Sequence, residues 1–263
     1  MKTIPLVLLM IAHSCTYLAA QTQMKSSPKL AKQILFDFRT ERTGAPLKIP
    51  LTTQRNILSK VFRKYLTDEG KCNSQFNVGS SSDPLKAARD AGQIVPLIVD
   101  MATGSFTTPG RRETAYIISV SECNASHADN FGTKRVAIFA GQELIANVDA
   151  DFKTDIVRKT DLNGDGLDEL LMTSSDMHQG VLSETAALVE FQNGRVRIVE
   201  DFGTVTDDSC ASGVGGSSSK ASVISMPDLV PGKMPRLQVD NYEAGCRKAK
   251  RWRFFSTGKM ESP

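Results

Sequence analysis

Beyond its first twenty residues this 263-residue chain has no long apolar run. A membrane-spanning helix needs about 20 predominantly apolar residues, so no transmembrane segment is expected. Charge of one sign is lacking too: 32 Lys and Arg face 29 Asp and Glu, for a formal net charge of +3. That balance argues against nucleic acid as the main partner, since such a partner selects a strongly basic face. The basic cluster Arg247, Lys248, Lys250, Arg251 and Arg253 is local and reads as a solvated strand or loop, with an anionic polymer or membrane surface as the alternative. No nucleophile, base and orienting group stand together, which weighs against catalysis. His127 with Asp129, and Asp176 with His178, read as polar loop residues. Cys123 and His127 supply only two of the four ligands a zinc site needs. GVGGSSS at 213–219 has no following lysine or helix signal, so it reads as a plain loop and not a phosphate cradle.

What is present starts with a leader. Lys2, the apolar stretch IPLVLLMIA at 4–12 and Leu18-Ala19-Ala20 read as an export signal over 1–20, cleaved before Gln21. Acylation at Cys15, as in a lipoprotein, is the alternative. The expected location is therefore secreted or periplasmic. Removing the leader leaves Cys72, Cys123, Cys210 and Cys246, an even count that suggests two disulfides in an oxidising compartment. Three connectivities are possible; the pairs nearest in sequence are Cys72–Cys123 and Cys210–Cys246. Asn124-Ala125-Ser126 is a glycosylation sequon if the source is eukaryotic.

Hydrophobic residues make up 40% of the chain, enough for a real core. Residues 21–95 differ in pattern from the C-terminal two thirds. Leu51, Ile57, Leu58, Val61, Phe62 and Leu66 form a helical stripe over 51–66, with Thr52 or Thr53 available as its cap. Asp83 followed by Pro84 opens a second short helix over 83–89. From about 94 the pattern turns to strands, at 94–100, 114–120, 135–140, 143–149, 169–172, 186–191, 195–202, 236–239 and 251–255. Ala140-Gly141-Gln142 and Gln192-Asn193-Gly194 are hairpin turns between them. The strands repeat: SFTTPGRRETAYII (105–118) slides onto DLNGDGLDELLMTS (161–174), setting Gly110 on Gly166 and Glu113 on Glu169. A third, weaker copy runs from 227 to 260. Self-similarity of about this period means stacked β-units, and three units are too few to close a propeller.

The middle copy carries the chemistry. In DLNGDGLDELLM, 161–172, Asp161, Asn163 and Asp165 place oxygens at loop positions 1, 3 and 5, and Gly166 permits a sharp turn. Glu169 adds a carboxylate at position 9. A hard cation such as calcium takes six to eight oxygens at roughly 2.3–2.6 Å, and a tight loop of this kind converges several. An Asx-rich turn held only by local hydrogen bonds is the alternative reading. An EF-hand requires a bidentate Glu at position 12, and Met172 stands there instead. A loop closing at position 9 and running straight into a strand resembles the FG-GAP repeat of integrin-type β-propellers and their VCBS-type relatives. That resemblance implies Asp161, Asn163, Asp165, the carbonyl of Leu167 and Glu169 as calcium ligands, with Asp168 pointing away.

The expected architecture is mainly β with N-terminal helices: a signal at 1–20, a helical segment at 21–95 and a β-repeat domain at 96–263. That domain is a partial, propeller-like array or compact antiparallel sheet domain of about three degenerate hairpin repeats. The expected function is an exported calcium-binding protein with a structural calcium loop and a binding or adhesion-type role. Its partner would be an extracellular or periplasmic protein or glycan. A small exported hydrolase with a calcium-supported cleft is the alternative, which would bring His127, His178, Asp207 and Asp208 into one pocket.

Overall fold

A computed structural model describes residues 33–40, 47–61, 94–122, 134–150, 154–212, 217–228, 232–246 and 250–260. The leader, Cys72, Cys123, the sequon, His127 and the second helix expected at 83–89 lie outside them. The described chain is mainly β, in two antiparallel sheets with one helix.

The first sheet is a four-stranded meander of β2 (Ile94–Gly104), β3 (Glu113–Glu122), β4 (Lys134–Ala140) and β5 (Glu143–Asp149). The second sheet opens with the same plan: β6 (Asp155–Thr160), β7 (Glu169–His178), β8 (Val181–Gln192) and β9 (Arg195–Asp208). It continues through β10 (Ser218–Met226), β11 (Gln238–Gly245) and β12 (Arg253–Thr257). A strand near the N-terminus, β1 (Gln33–Asp37), joins it by pairing with β10. Both expected hairpin turns are present. Gly141 and Gln142 link β4 to β5, and Asn193 and Gly194 link β8 to β9 at φ 53° and 72°. Positive φ at both central residues gives the turn the twist that matches its flanking strands.

The helix α1 (Leu51–Val61) starts directly after Pro50, so Thr52 and Thr53 sit inside its first turn and do not cap it. Its stripe buries Ile57 and Leu58 on Ile98, Ile118, Ala137 and Phe139, the outer face of the first sheet. The inner face of that sheet, with Ile117, Val136 and Ile138, packs on Leu170, Met172, Ala187 and Val189 of the second. The alternate residues Leu171, Ala186 and Leu188 point the other way, to Leu35, Phe202, Ala221, Ile224 and Val239. The molecule is thus a stack of helix, β2–β5 unit, β6–β9 unit and β10–β12 unit. Within the β6–β9 unit, residues 169–173 of β7 and 186–189 of β8 are buried on both faces. Full burial of one such aliphatic side chain stabilises by roughly 1.5–3 kcal/mol.

One expected disulfide is present: Cys210 and Cys246 are bonded, with Cα atoms 5.2 Å apart. It ties the end of β9 to the end of β11.

Candidate metal centre

In the first two units the loop before the second strand is built around the glutamate that opens that strand. In the first unit Glu113 reaches back seven residues and accepts the Phe106 N–H at 2.8 Å. In the second, Glu169 reaches back the same seven and accepts the Leu162 N–H at 2.7 Å. Both glutamates are about 1% exposed, so each carboxylate is committed to holding its loop shut. The turns correspond as well: Gly110 and Gly166 have φ of 72° and 86°, the left-handed region that favours glycine.

The two loops differ in how the buried carboxylate is satisfied. Glu113 receives two further donors, the Thr107 N–H at 2.8 Å and the Thr107 hydroxyl, and Arg111 Nε lies 3.9 Å away. Glu169 has no such set. Around it stand the carboxylates of Asp161 and Asp165, and among the described residues none of the three makes an ion pair. Burial, opposed by the Leu162 N–H but reinforced by Asp165 and Asp161, pushes the Glu169 carboxyl up to about 7. The middle loop therefore gathers negative charge where the first loop supplies a hydroxyl and a guanidinium.

The exposed end of the loop is ordered by its own side chains. Asp161 accepts the Gly164 N–H at 2.7 Å through one oxygen and the Gly166 N–H at 3.0 Å through the other. Asn163 Oδ1 accepts the Asp165 N–H at 2.9 Å, and Asp165 Oδ1 accepts the Leu167 N–H at 2.8 Å. The Asn163 amide donates to the remaining Asp165 oxygen at 3.0 Å. Among the described residues, no three His, Cys, Asp or Glu side chains converge as a metal-holding group. The donor types, though not converged on one point, are those a hard cation takes. The set is all oxygen, with three carboxylates, and each oxygen that accepts one N–H keeps a further lone pair. Asp168 faces elsewhere: its carboxylate accepts the Ser105 N–H at 2.8 Å and lies 3.3 Å from Lys159 Nζ. The Asp168 N–H donates to Ser105 O at 2.6 Å. Asp168 thereby lashes the middle loop to the first.

The loops lie side by side at one end of the stack. A Cβ on Gly166 would sit 3.0 Å from Pro109 Cβ in the first loop, and one on Gly164 would sit 3.7 Å from Gly232 N in the third. Asp100, which the sequence does not single out, also joins the units: it accepts the Ile156 N–H of β6 at 2.6 Å. Burial pushes its carboxyl upward despite that bond.

Of the groups weighed for catalysis, His127 lies outside the described residues and Asp208 is occupied. His178 closes the β7–β8 hairpin. Asp208 is held by Lys250 Nζ at 2.6 Å and Ser219 Oγ at 3.1 Å. Burial opposes its ionisation, but the Lys250 bond prevails and holds the carboxyl below its usual range. Among the described residues no helix is long and apolar enough to cross a membrane. Comparison with known proteins finds no matching family model, no matching curated protein and no matching solved structure.

Proposed function

We propose that this is an exported calcium-binding protein of FG-GAP/VCBS type, in which the ion is structural and the stacked β-units serve a binding or adhesion-type role toward an extracellular protein or glycan. The ligands are Asp161, Asn163, Asp165, the Leu167 carbonyl and Glu169. The observation that carries the reading is the contrast between the two buried glutamates. Glu113 is satisfied by Thr107 and approached by Arg111, whereas Glu169 accepts the Leu162 N–H, and burial first, then Asp165 and Asp161, push its carboxyl upward. A bound cation would neutralise that cluster and fix the loop against Pro109 and Gly232. The Cys210–Cys246 bond supports export, because disulfides persist in oxidising compartments.

The test is calorimetric titration of the chelator-stripped chain with calcium, alongside melting curves with and without the ion. Extracellular calcium modules bind at roughly 10⁻⁴–10⁻³ M. Saturable binding that Asp165→Ala abolishes supports the reading. Absence of binding and of any calcium-dependent melting shift returns the loop to an Asx-rich turn.

A further inference from the structure

The β2–β5 and β6–β9 units each contribute four consecutive strands; the last contributes β10–β12, with β1 added on the far side of β10, and among the described strands β12 pairs only with β11. The side of β12 away from β11, unpaired among the described strands, is where the last strand lies in the other two units. The chain here reads Lys250-Arg251-Trp252-Arg253-Phe254-Phe255. Phe254 and Phe255 are 57% and 45% exposed. Phe254 rests on Tyr242 edge-on, with ring centroids 5.8 Å apart. Arg253 stands opposite Glu243 in the pairing with β11, yet neither it nor Arg251 makes an ion pair among the described residues. The edge thus combines a row of backbone groups, two uncommitted guanidinium groups and two aromatic rings.

We propose that the β12 edge is a docking site for an extended acidic peptide strand, which adds to the last unit beside β12. An added strand gains main-chain hydrogen bonds along the edge, and alternate side chains supply specificity. Carboxylates on that strand meet Arg251 and Arg253, which suit planar, bidentate partners, while its apolar residues cover Phe254 and Phe255. A second copy of this chain does not fit, because the stretch Lys250–Met260 has no carboxylate to meet Arg251 and Arg253. The proposal gives the binding role a location, and it is independent of the calcium loop, which lies in another unit.

Trp252 is the only tryptophan of the chain and adjoins β12, so its fluorescence reports binding in the full chain. The probe is a short peptide alternating Glu and Val, titrated in calcium and again in chelator. Saturable change is expected in both conditions. Methylating alternate peptide nitrogens, which removes the ladder bonds without touching the protein, should weaken binding at least about tenfold, a loss of about 1.4 kcal/mol. The double variant R251Q/R253Q, which sets no like charge against Glu243, should weaken it similarly with little change in melting temperature. A flat fluorescence titration overturns the proposal. Equal binding of the methylated peptide overturns it too, as does equal binding of a Lys–Val peptide. Tighter binding of a sulfated polysaccharide or of phosphatidylglycerol vesicles at the same arginines overturns it in favour of a plain anion-binding patch. Loss of calcium binding with intact peptide binding removes only the metal reading.

Discussion

Without calcium, the protein should lose stability as the pH rises from 4.5 to about 7, and Glu169 should account for most of that slope. Its carboxyl is raised from an ordinary 4.5 to about 7, by burial first and then by Asp165 and Asp161. Between those two values the native state holds a proton that the unfolded chain has released. Folding is then favoured by acid, and stability falls as pH climbs through the window. Each pKa unit corresponds to 1.36 kcal/mol, so the whole excursion is worth about 3 kcal/mol. The assay is urea unfolding in chelator at several pH values across this range, read as the midpoint at constant slope. Glu169→Gln keeps an oxygen for the Leu162 N–H but cannot ionise, so its stability should be flatter with pH by about that amount. Saturating calcium should flatten the wild-type profile as well, since a cation favours the carboxylate. Parallel profiles for the wild type and Glu169→Gln in chelator would refute the reasoning, because another group would then set the slope.

Asp165→Ala should abolish the calcium-dependent part of stability, about 1.4 kcal/mol at a tenfold excess of ion over its dissociation constant, as read by paired melting curves. Asp168→Ala should leave calcium affinity nearly unchanged but cost about 1–2 kcal/mol with or without the ion, because it frees the Ser105 N–H and Lys159. Gly104→Ala should destabilise by about 1–3 kcal/mol in thermal unfolding, since its Cβ would fall 2.4 Å from Asp168 Oδ2 and 3.0 Å from Phe106 Cζ. Cys210→Ser should cost about 2–4 kcal/mol, and non-reducing thiol labelling of the denatured wild type should find Cys210 and Cys246 blocked.

The β-rich class, the hairpin at Asn193-Gly194 and the Cys210–Cys246 bond were legible because each depends on local chemistry or on a short list of partners. The glutamates at 113 and 169 were legible as a repeat, since both open a strand and both follow a glycine turn. What Glu113 does in its loop was not, because its partners are main-chain groups that carry no sequence signature. Three strands escaped, β6 (Asp155–Thr160) among them, and the other two did so for a related reason. β10, SSKASVISM, looks like a continuation of a polar loop, yet Ser219, Ser222 and Ser225 are buried. Ser222 is satisfied by Asn241 at 2.7 Å, a partner nineteen residues away. β1 sits in a stretch that composition assigns to the N-terminal helical segment, and it becomes a strand by adding to β10. The helix at 51–61 followed from its stripe; its start did not, because Pro50 rather than a threonine sets it.

The double-sided burial of β7 and β8 carries a consequence for how the two strands find one another. In a sheet with one wet face, sliding a strand by one residue throws polar groups inward, and hydrophobicity alone forbids the error. β7 and β8 lack that safeguard, because Leu170, Leu171 and Met172 are all apolar, as are Ala186, Ala187, Leu188 and Val189. Side-chain volume has to discriminate instead. Met172 stands opposite Ala187 and Thr173 opposite Ala186, while Leu171 faces Leu188. A slip of one position would put Met172 against Leu188 and leave a void beside an alanine. In close-packed interiors both crowding and voids cost stability. Ala186 and Ala187, the smallest side chains in the layer, are thus the residues that keep the larger ones from being interchangeable.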